Sequence, residues 1–130
     1  MTEAESDHAA GRLVFVVDDA PDLRLLYRLS LVRAGFAVVG EATTGAEALA
    51  TAADCHPDIV LVDLLLPDTT GFEVLAELRR TIPHATLVAC SGLDEDGTVE
   101  HCFEAGADAF LDKSVADDVG SALTELLAAG

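Results

Sequence analysis

Basic residues are scarce in this sequence, and that scarcity excludes whole classes of partner. Lys and Arg number 7 against 24 Asp and Glu, so the formal net charge is −17. A protein that binds nucleic acid neutralises phosphates with Lys and Arg, and one that lies on an anionic membrane uses the same charges. We therefore expect no direct contact with nucleic acid and none with membrane.

Long apolar runs are also missing. Uninterrupted apolar stretches such as residues 59–62 and 64–66 are far too short to cross a bilayer. Residues 1–11 are acidic and rich in small residues, without the basic start and apolar run of a secretory signal. We expect a cytoplasmic protein in which residues 1–11 form a flexible acidic segment and residues 12–130 form one domain.

The cysteines and histidines are too few and too scattered for a fold that is held together by disulfide bonds or by zinc. No two cysteines have the C-x-x-C spacing, and the histidines lie apart from one another and from the cysteines. This pattern indicates reduced thiols rather than a disulfide framework or a zinc site. The residues are Cys55, Cys90, Cys102, His8, His56, His84 and His101.

What the sequence does have is a repeated alternation of short apolar runs and helical patterns. The runs are rich in Val, Ile, Leu and Phe without polar alternation, which is typical of parallel strands covered on both faces. Five such alternations predict an α/β fold with right-handed crossovers and five helices. The predicted strands are Leu13–Val17 and residues 37–39, 59–62, 87–89 and 109–111.

The first helical pattern has a clear apolar spacing and a clear end. Leu25, Leu29 and Val32 recur at i, i+4 and i+7, the spacing of the apolar face of a helix. Gly35 follows where a left-handed C-terminal cap is wanted.

The later helices show start signals or spacing of their own. Two capping boxes predict helix starts, Thr44 with Glu47 and Thr70 with Glu73. The fourth helix is predicted from near Asp96 to Ala105. Helical spacing in the fifth helix is carried by Val115, Val119, Ala122 and Leu126.

Polar side chains gather where the predicted strands end. Asp18 and Asp19 end the first strand, Asp63 the third, Ser91 the fourth and Lys113 follows the fifth. Ligands of such sheets bind at the carboxyl ends of the strands. Three acids, a hydroxyl and a lysine are therefore expected at one edge.

Each acid also has an ordinary structural explanation. Asp63 can accept hydrogen bonds from loop amides, and Asp18 and Asp19 can cap the helix that follows. Their combination favours a cation site, because carboxylates sharing one cleft repel one another. Carboxylate oxygens with retained water suit Mg²⁺.

Lys113 is the only lysine in the chain. Lysines that merely solvate a surface are expected in several scattered places. A single one after the fifth strand fits a point charge that pairs with a carboxylate and then with a phosphoryl group. Ser91 with Gly92 is either a plain strand-to-loop turn or a hydroxyl donor beside a backbone that an anion can approach.

Taken together, these residues resemble the receiver domain of two-component response regulators over residues 13–127. The resemblance implies a five-stranded parallel sheet, doubly wound and flavodoxin-like, with strand order 2-1-3-4-5. The residues that carry it are Val16, Val17, Asp18, Asp19, Pro57, Asp58, residues 59–62, Asp63, Pro67, Gly71, Ser91, Gly106, Ala107, Asp108, Phe110 and Lys113.

The resemblance implies roles for the residues at the sheet edge. Asp63 would accept a phosphoryl group from a phosphohistidine of a sensor histidine kinase or phosphotransfer protein. Mg²⁺ would be held by Asp19, Asp63 and the Leu65 carbonyl, with Asp18 acting through water. Such a module catalyses only its own phosphorylation and slow dephosphorylation, so it is not an enzyme in the usual sense. Phosphoryl oxygens would be bound by Ser91, Lys113, Gly92 and Leu64.

The resemblance also implies a switch. Movement of Ser91 toward the phosphoryl group would vacate space for Phe110, and the surface of the fourth helix, fifth strand and fifth helix would change for a downstream partner protein. Phe110 is equally explained as a core aromatic.

The sequence departs from the family pattern at three positions. Ser114 stands where proline, joined through a cis bond, is frequent, and a cis Lys-Ser bond costs about 2.5–4 kcal/mol. Leu65 and Leu93 are both apolar, at positions that flank the path of the hydrolytic water. Since neither leucine orients water, a long-lived phosphorylated form is predicted.

Three alternatives stay open from the sequence. A degenerate receiver would have the fold without being phosphorylated. A haloacid dehalogenase-like phosphatase would need an acid where Leu65 stands. A small flavodoxin would need aromatic residues to stack the flavin, but the chain has no Trp and a single Tyr, Tyr27.

Overall fold

Five parallel strands form a single sheet in the computed structural model, which describes residues 12–92 and 97–129. The strands are β1 (Leu13–Val17), β2 (Ala37–Ala42), β3 (Ile59–Asp63), β4 (Thr86–Ser91) and β5 (Ala109–Asp112). Their order is β2-β1-β3-β4-β5, and each neighbouring pair is parallel. The predicted order 2-1-3-4-5 is confirmed. The expected flexible segment, residues 1–11, lies outside the described residues.

Five α-helices connect or follow the strands in the described part. They are α1 (Pro21–Arg33), α2 (Gly45–Cys55), α3 (Gly71–Thr81), α4 (Thr98–Ala105) and α5 (Val119–Ala129), the last preceded by a 3₁₀ turn, Lys113–Asp118.

The sheet is covered on both faces, which explains why its strands are apolar without alternation. One core cluster joins alternate strand residues such as Phe15 and Val60 to α2, α3 and α4. The other joins Val16 and Leu61 to α1 and α5.

Both predicted capping threonines are confirmed. Thr44 Oγ1 accepts from the Glu47 amide at 3.1 Å, and Thr70 Oγ1 from the Glu73 amide at 3.3 Å. The returning carboxylate in each case reaches the residue before the cap, Thr43 or Thr69, rather than the cap itself.

The apolar face predicted for α1 points outward, not into the core. Leu25, Leu29 and Val32, which we call the α1 stripe, are 49%, 50% and 59% exposed. The core instead receives Tyr27 and Leu31. These two residues also have i, i+4 spacing, so α1 is apolar on two opposite sides, and periodicity alone could not choose between them.

The fifth helix also differs from the prediction. It begins at Val119, because residues 113–118 form a 3₁₀ turn in which Val115 has non-helical φ and ψ of −101° and 21°. This shifts the buried face to Ala116, Val119 and Leu123, while the predicted Leu126 is exposed. The fourth helix begins at Thr98, after Gly97 at φ 87°, and Asp96 lies outside the described residues.

Candidate functional site

The carboxyl edge of the sheet brings three acids together. One carboxylate oxygen from each of Asp18, Asp19 and Asp63 lies within 4.8 Å of the others. Asp18 and Asp63 are buried and Asp19 is exposed. This edge therefore concentrates negative charge in a partly dry cleft, and the three oxygens are hard ligands of the kind that Mg²⁺ prefers.

Lys113 brings the balancing positive charge to the two buried acids. Its Nζ lies 3.0 Å from Asp63 Oδ2 and 3.3 Å from Asp18 Oδ2. The Asp18 Oδ2 contact is an ion pair without hydrogen-bond geometry, since that buried oxygen has no hydrogen bond to any described group. One side of the acid cluster is thus neutralised by lysine, while Asp18 Oδ2 keeps its capacity to accept a hydrogen bond from a bound water.

The remaining oxygens of the buried acids are held by backbone amides. Asp63 Oδ1 accepts from the Leu65 amide at 3.1 Å, and Asp18 Oδ1 accepts from the Ala20 amide at 2.9 Å. The loop-amide explanation therefore holds for Asp63. No side chain caps α1, whose N-cap residue is Ala20, so the capping explanation of Asp18 and Asp19 is wrong. The hydrogen bonds to the backbone leave capacity at the site, because each carboxylate oxygen can accept two hydrogen bonds.

The pKa of the Asp63 carboxyl is raised above its usual value. Burial is the main cause, and the charge of Asp18 adds to it, against hydrogen bonds from the Leu65 amide and Lys113 that lower the pKa. Burial alone would lower the pKa of Lys113, but its hydrogen bond to Asp63 and the nearby negative charges raise it overall. Pairing with Lys113 alone would lower the Asp63 pKa, so desolvation outweighs the ion pair.

Neighbouring backbone contacts fix the loop that follows Asp63. The Gly71 amide donates to the Leu64 carbonyl at 2.9 Å. A Cβ on Gly71 would lie 2.4 Å from the Asp63 carbonyl oxygen and 2.6 Å from Leu64 Cα. Only glycine permits this approach, which explains the residue type at position 71.

Sequence reasoning missed two residues that shape the site. Arg24 Nη1 donates to the Asp18 carbonyl at 2.8 Å, tying α1 to the acid loop. The Asp68 carboxylate accepts from the amides of Gly45 and Ala46 at 2.8 and 3.0 Å, which holds its pKa below the usual value. Neither residue belongs to a spacing pattern, so the sequence carried no signal for these contacts.

The predicted phosphoryl-binding residues surround the same edge. Ser91 is buried at the end of β4, in register with Asp112 of β5. Leu64 is buried and its amide already donates to the Cys90 carbonyl at 3.2 Å. A side chain on Gly92 would meet no described atom within 4 Å, so the backbone there is open.

Three further positions bear on the predicted switch and lifetime. Phe110 is half-buried beside the core and lies in register with Ala89. The Leu65 side chain is 60% exposed. The prediction for Leu93 falls outside the described residues.

The peptide bond between Lys113 and Ser114 is trans, since the described residues include no cis bond. The Ser114 amide donates to Asp112 Oδ1 at 2.9 Å, which opens the 3₁₀ turn. The chain therefore has no cis bond at Ser114, the position where the family often has a cis-linked proline.

A doubly wound sheet of this order, with acids and a lysine at the carboxyl edge, defines a flavodoxin-like fold with a receiver-type site. A family model described as the response regulator receiver domain matches residues 14–124. This chain belongs to that family, and is a receiver domain of a two-component system.

Individual relatives agree with this assignment. The chemotaxis protein CheY of Thermotoga maritima is 34% identical over 103 residues, covering 79% of this chain and 86% of that protein. CheY of Bacillus subtilis is 33% identical over 115 residues, covering 88% and 96%. A two-component response regulator of the LuxR family from Aurantimonas sp. SI85-9A1 matches in structure with a TM-score of 0.81 at 32% identity, covering 90% of this chain and 85% of that one.

Among the described helices, none has the length and apolar character needed to cross a membrane.

Proposed function

We propose that this receiver domain takes a phosphoryl group onto Asp63 in a Mg²⁺-dependent reaction. The observation that carries the proposal is the meeting of Asp18, Asp19, Asp63 and Lys113 at one sheet edge. Acidic side chains that repel one another around a buried carboxylate destabilise the fold. A bound cation would offset this repulsion. Lys113 supplies one positive charge. A divalent ion beside the exposed Asp19 would supply the remaining positive charge.

The chemistry proposed for Asp63 is nucleophilic. A carboxylate oxygen of Asp63 forms a bond to phosphorus as the bond from phosphorus to a histidine nitrogen breaks. The histidine ring keeps the bonding electrons and ends neutral after taking up a proton. Charge on the phosphoryl oxygens is spread over Lys113, the Ser91 hydroxyl and the backbone near Leu64 and Gly92. Since the Leu64 amide donates to Cys90 in this structure, that amide would have to exchange partners.

Asp19, Asp63 and the Leu65 carbonyl would hold Mg²⁺, with Asp18 acting through a bound water. The ion, when bound, supplies positive charge to the transferring group. The exposed Asp19 carboxylate fits a metal that keeps several of its waters.

The donor would be a sensor histidine kinase or a phosphotransfer protein, and the output would pass through a change in the surface of α4, β5 and α5. Phe110 lies on β5 in register with Ala89 of β4 and is half-buried, which suits a side chain with two packings. Under this proposal, the domain would catalyse only its own phosphorylation and slow dephosphorylation.

The other readings fit less well. A degenerate receiver would normally have lost an acid or the lysine, and all are present here. A phosphatase of the haloacid dehalogenase type needs an acid at Leu65, whose side chain transfers no proton.

Incubation with acetyl phosphate, followed by intact mass measurement, tests the proposal. Wild-type protein should gain the mass of one phosphoryl group with Mg²⁺ and none with EDTA. Asp63→Asn should gain none, whereas Asp54→Asn, at an exposed carboxylate on α2, should behave as wild type. An unmodified wild type in Mg²⁺ would instead support the degenerate receiver. A pull-down with the phosphorylated form against Asp63→Asn would then identify the output partner.

A further inference from the structure

The loop between β3 and α3, residues 64–70, is held against α2 by the Asp68 carboxylate. Asp68 Oδ1 accepts a hydrogen bond from the Gly45 amide at 2.8 Å, and Asp68 Oδ2 accepts one from the Ala46 amide at 3.0 Å. These amides open α2, which follows β2, whereas Asp68 follows β3. Because β1 lies between β2 and β3 in the sheet, the two hydrogen bonds join segments that arrive from strands that are not neighbours.

The ordinary explanation of Asp68 is a helix cap supplied from a distance. The first amides of a helix have no partner within the helix, and a carboxylate near the N-terminus satisfies them. Asp68 does this for two amides of α2, while Thr44 Oγ1 accepts from the Glu47 amide at 3.1 Å. Asp68 and Thr44 thus stabilise the same helix end, but of the two only Asp68 belongs to the loop that follows Asp63.

The packing between α2 and this loop is also tight. A Cβ on Gly45 would lie 2.3 Å from Thr69 Cγ2 and 3.0 Å from Val74 Cγ2. A side chain at position 45 would therefore push the loop away from the helix, so the close approach requires glycine. Thr69 also donates a hydrogen bond to the Glu73 carboxylate in the first turn of α3. The tip of the loop is thus held by two different helices.

The base of the same loop carries the Leu65 carbonyl, one of the ligands proposed for Mg²⁺. Leu65 forms an isolated antiparallel bridge with Thr70, and its amide donates to Asp63 Oδ1 at 3.1 Å. Because the bridge closes the loop into a short unit, a displacement of its tip at Asp68 would also displace its base at Leu65. Groups that hold a metal ligand in place raise metal affinity although they do not touch the metal.

We propose that Asp68 is a positioning residue of the magnesium site, which holds the loop against α2 and so fixes the Leu65 carbonyl. The inference rests on the proposed function, because it concerns the same site. Asp68 does not belong to the cluster of Asp18, Asp19 and Asp63 that could hold the ion, and its two carboxylate oxygens are engaged by the amides of α2. Its removal should therefore weaken Mg²⁺ binding without removing a ligand.

Calorimetric titration with Mg²⁺ tests the proposal, with Asp68→Ala compared against Thr44→Ala. Both variants remove a hydrogen-bond acceptor from the start of α2, so each should lower the free energy of unfolding. Asp68→Ala should raise the dissociation constant for Mg²⁺ about 3- to 10-fold, less than the roughly 10- to 100-fold typical of groups that touch a metal ligand. Thr44→Ala should bind Mg²⁺ as wild type.

The loss of a negative charge needs a control of its own. Asp54→Ala removes an exposed carboxylate from α2 and should bind Mg²⁺ as wild type. The titrations are made at about 0.15 M salt, where charges more than about 8 Å apart are largely screened.

Hydrogen exchange of the metal-free protein tests the hold on the loop without Mg²⁺. The Leu65 and Gly71 amides should exchange about fivefold faster in Asp68→Ala than in wild type, the effect expected when one hydrogen bond no longer opposes local opening. In Thr44→Ala they should exchange at the wild-type rate. Unchanged exchange in Asp68→Ala would overturn the proposal.

The titrations separate failure of this inference from failure of the proposed function. A wild type that binds no Mg²⁺ contradicts the proposed function, and the role of Asp68 with it. A wild type that binds Mg²⁺ while Asp68→Ala binds it equally well overturns the role of Asp68 alone. The same holds if Thr44→Ala or Asp54→Ala loses as much affinity as Asp68→Ala.

Discussion

Lys113 Nζ lies 3.0 Å from Asp63 Oδ2 and also faces Asp18 Oδ2 at 3.3 Å. The only lysine of the chain therefore touches both buried acids of the site. Its flexible stem brings a compact charge to carboxylates that arrive from two different strands. The energetic balance among these three residues leads to several measurable consequences.

Replacing Asp63 should stabilise the metal-free protein. The folded-state pKa of Asp63 is raised, mainly by burial, so its contribution to stability is present when it is protonated. That contribution is lost as pH rises through the folded-state pKa, and the ionised group costs stability at neutral pH. Asp63→Asn removes this cost, and we expect the free energy of unfolding in EDTA to rise by about 1 kcal/mol at pH 7. Urea denaturation of the two proteins measures this difference in the free energy of unfolding.

The same pair of proteins should respond differently to pH and to metal. The advantage of Asp63→Asn should shrink as pH falls below the Asp63 pKa, where the wild type is protonated. Mg²⁺ should raise the melting temperature of the wild type and have less effect on the variant. An Asn variant less stable than wild type at pH 7 would show that the Lys113 pair outweighs burial.

Removing the Lys113 charge should have the opposite effect. Lys113→Gln leaves two buried carboxylates without a cation, and we expect a loss of about 2 kcal/mol in the free energy of unfolding at pH 7. The loss should diminish toward acid pH, where Asp63 takes up a proton. Arg80→Gln is the matched control, since Arg80 forms an exposed pair with Glu77 within α3. Equal losses in the two variants would rule out a special role for Lys113.

Gly71 should tolerate no side chain. In Gly71→Ala the new methyl would lie 2.4 Å from the Asp63 carbonyl oxygen, so strand or helix must shift. We expect a loss of about 1–3 kcal/mol in stability, measured by thermal unfolding. Gly92→Ala should unfold as wild type, because no described atom lies within 4 Å of the added carbon. A harmless Gly71→Ala would mean that the loop after β3 is not packed as described.

Leu65 should lengthen the life of the phosphorylated form. Its side chain is exposed at the site but offers water no hydrogen bond. Leu65→Asn should shorten the lifetime of the acyl phosphate by about 3- to 10-fold, since one hydrogen bond to the attacking water contributes about 1 kcal/mol. Decay after removal of acetyl phosphate measures it, with Leu65→Ile expected to match the wild type. The sequence predicts the same acceleration for Leu93→Glu; if neither polar variant decays faster, the leucines do not set the lifetime.

The sequence predicted the sheet and its edge well because strand ends are local signals. Four of the five apolar runs lead within two residues to a polar residue of the site or its neighbour, namely Asp18, Asp63, Ser91 and Asp112, and in a parallel sheet the ends of the strands meet at one side. Asp18, Asp63 and Lys113 could therefore be placed together without knowing any side-chain contact. β1 has the predicted bounds, and the other four strands extend further than predicted, with β2 reaching Ala42 and β4 reaching Ser91.

The errors came from elements whose orientation is set by packing. In α1, apolar residues occupy two sides, and only the sheet decides that Tyr27 and Leu31 enter the core. In the last helix, the 3₁₀ turn after Lys113 rotates the residues that follow, which moves Leu126 out and Leu123 in. Contacts such as Arg24 to the Asp18 carbonyl depend on the loop conformation and have no periodic signal.

The central claim is that Asp63 carries the phosphoryl group, and locating that group tests it most directly. Protein treated with acetyl phosphate and Mg²⁺ is reduced with borohydride, which converts an aspartyl phosphate to homoserine, and is then digested and sequenced by tandem mass spectrometry. Homoserine should appear at position 63 and disappear when Mg²⁺ is withheld. Homoserine at another aspartate, or at none, would contradict the account.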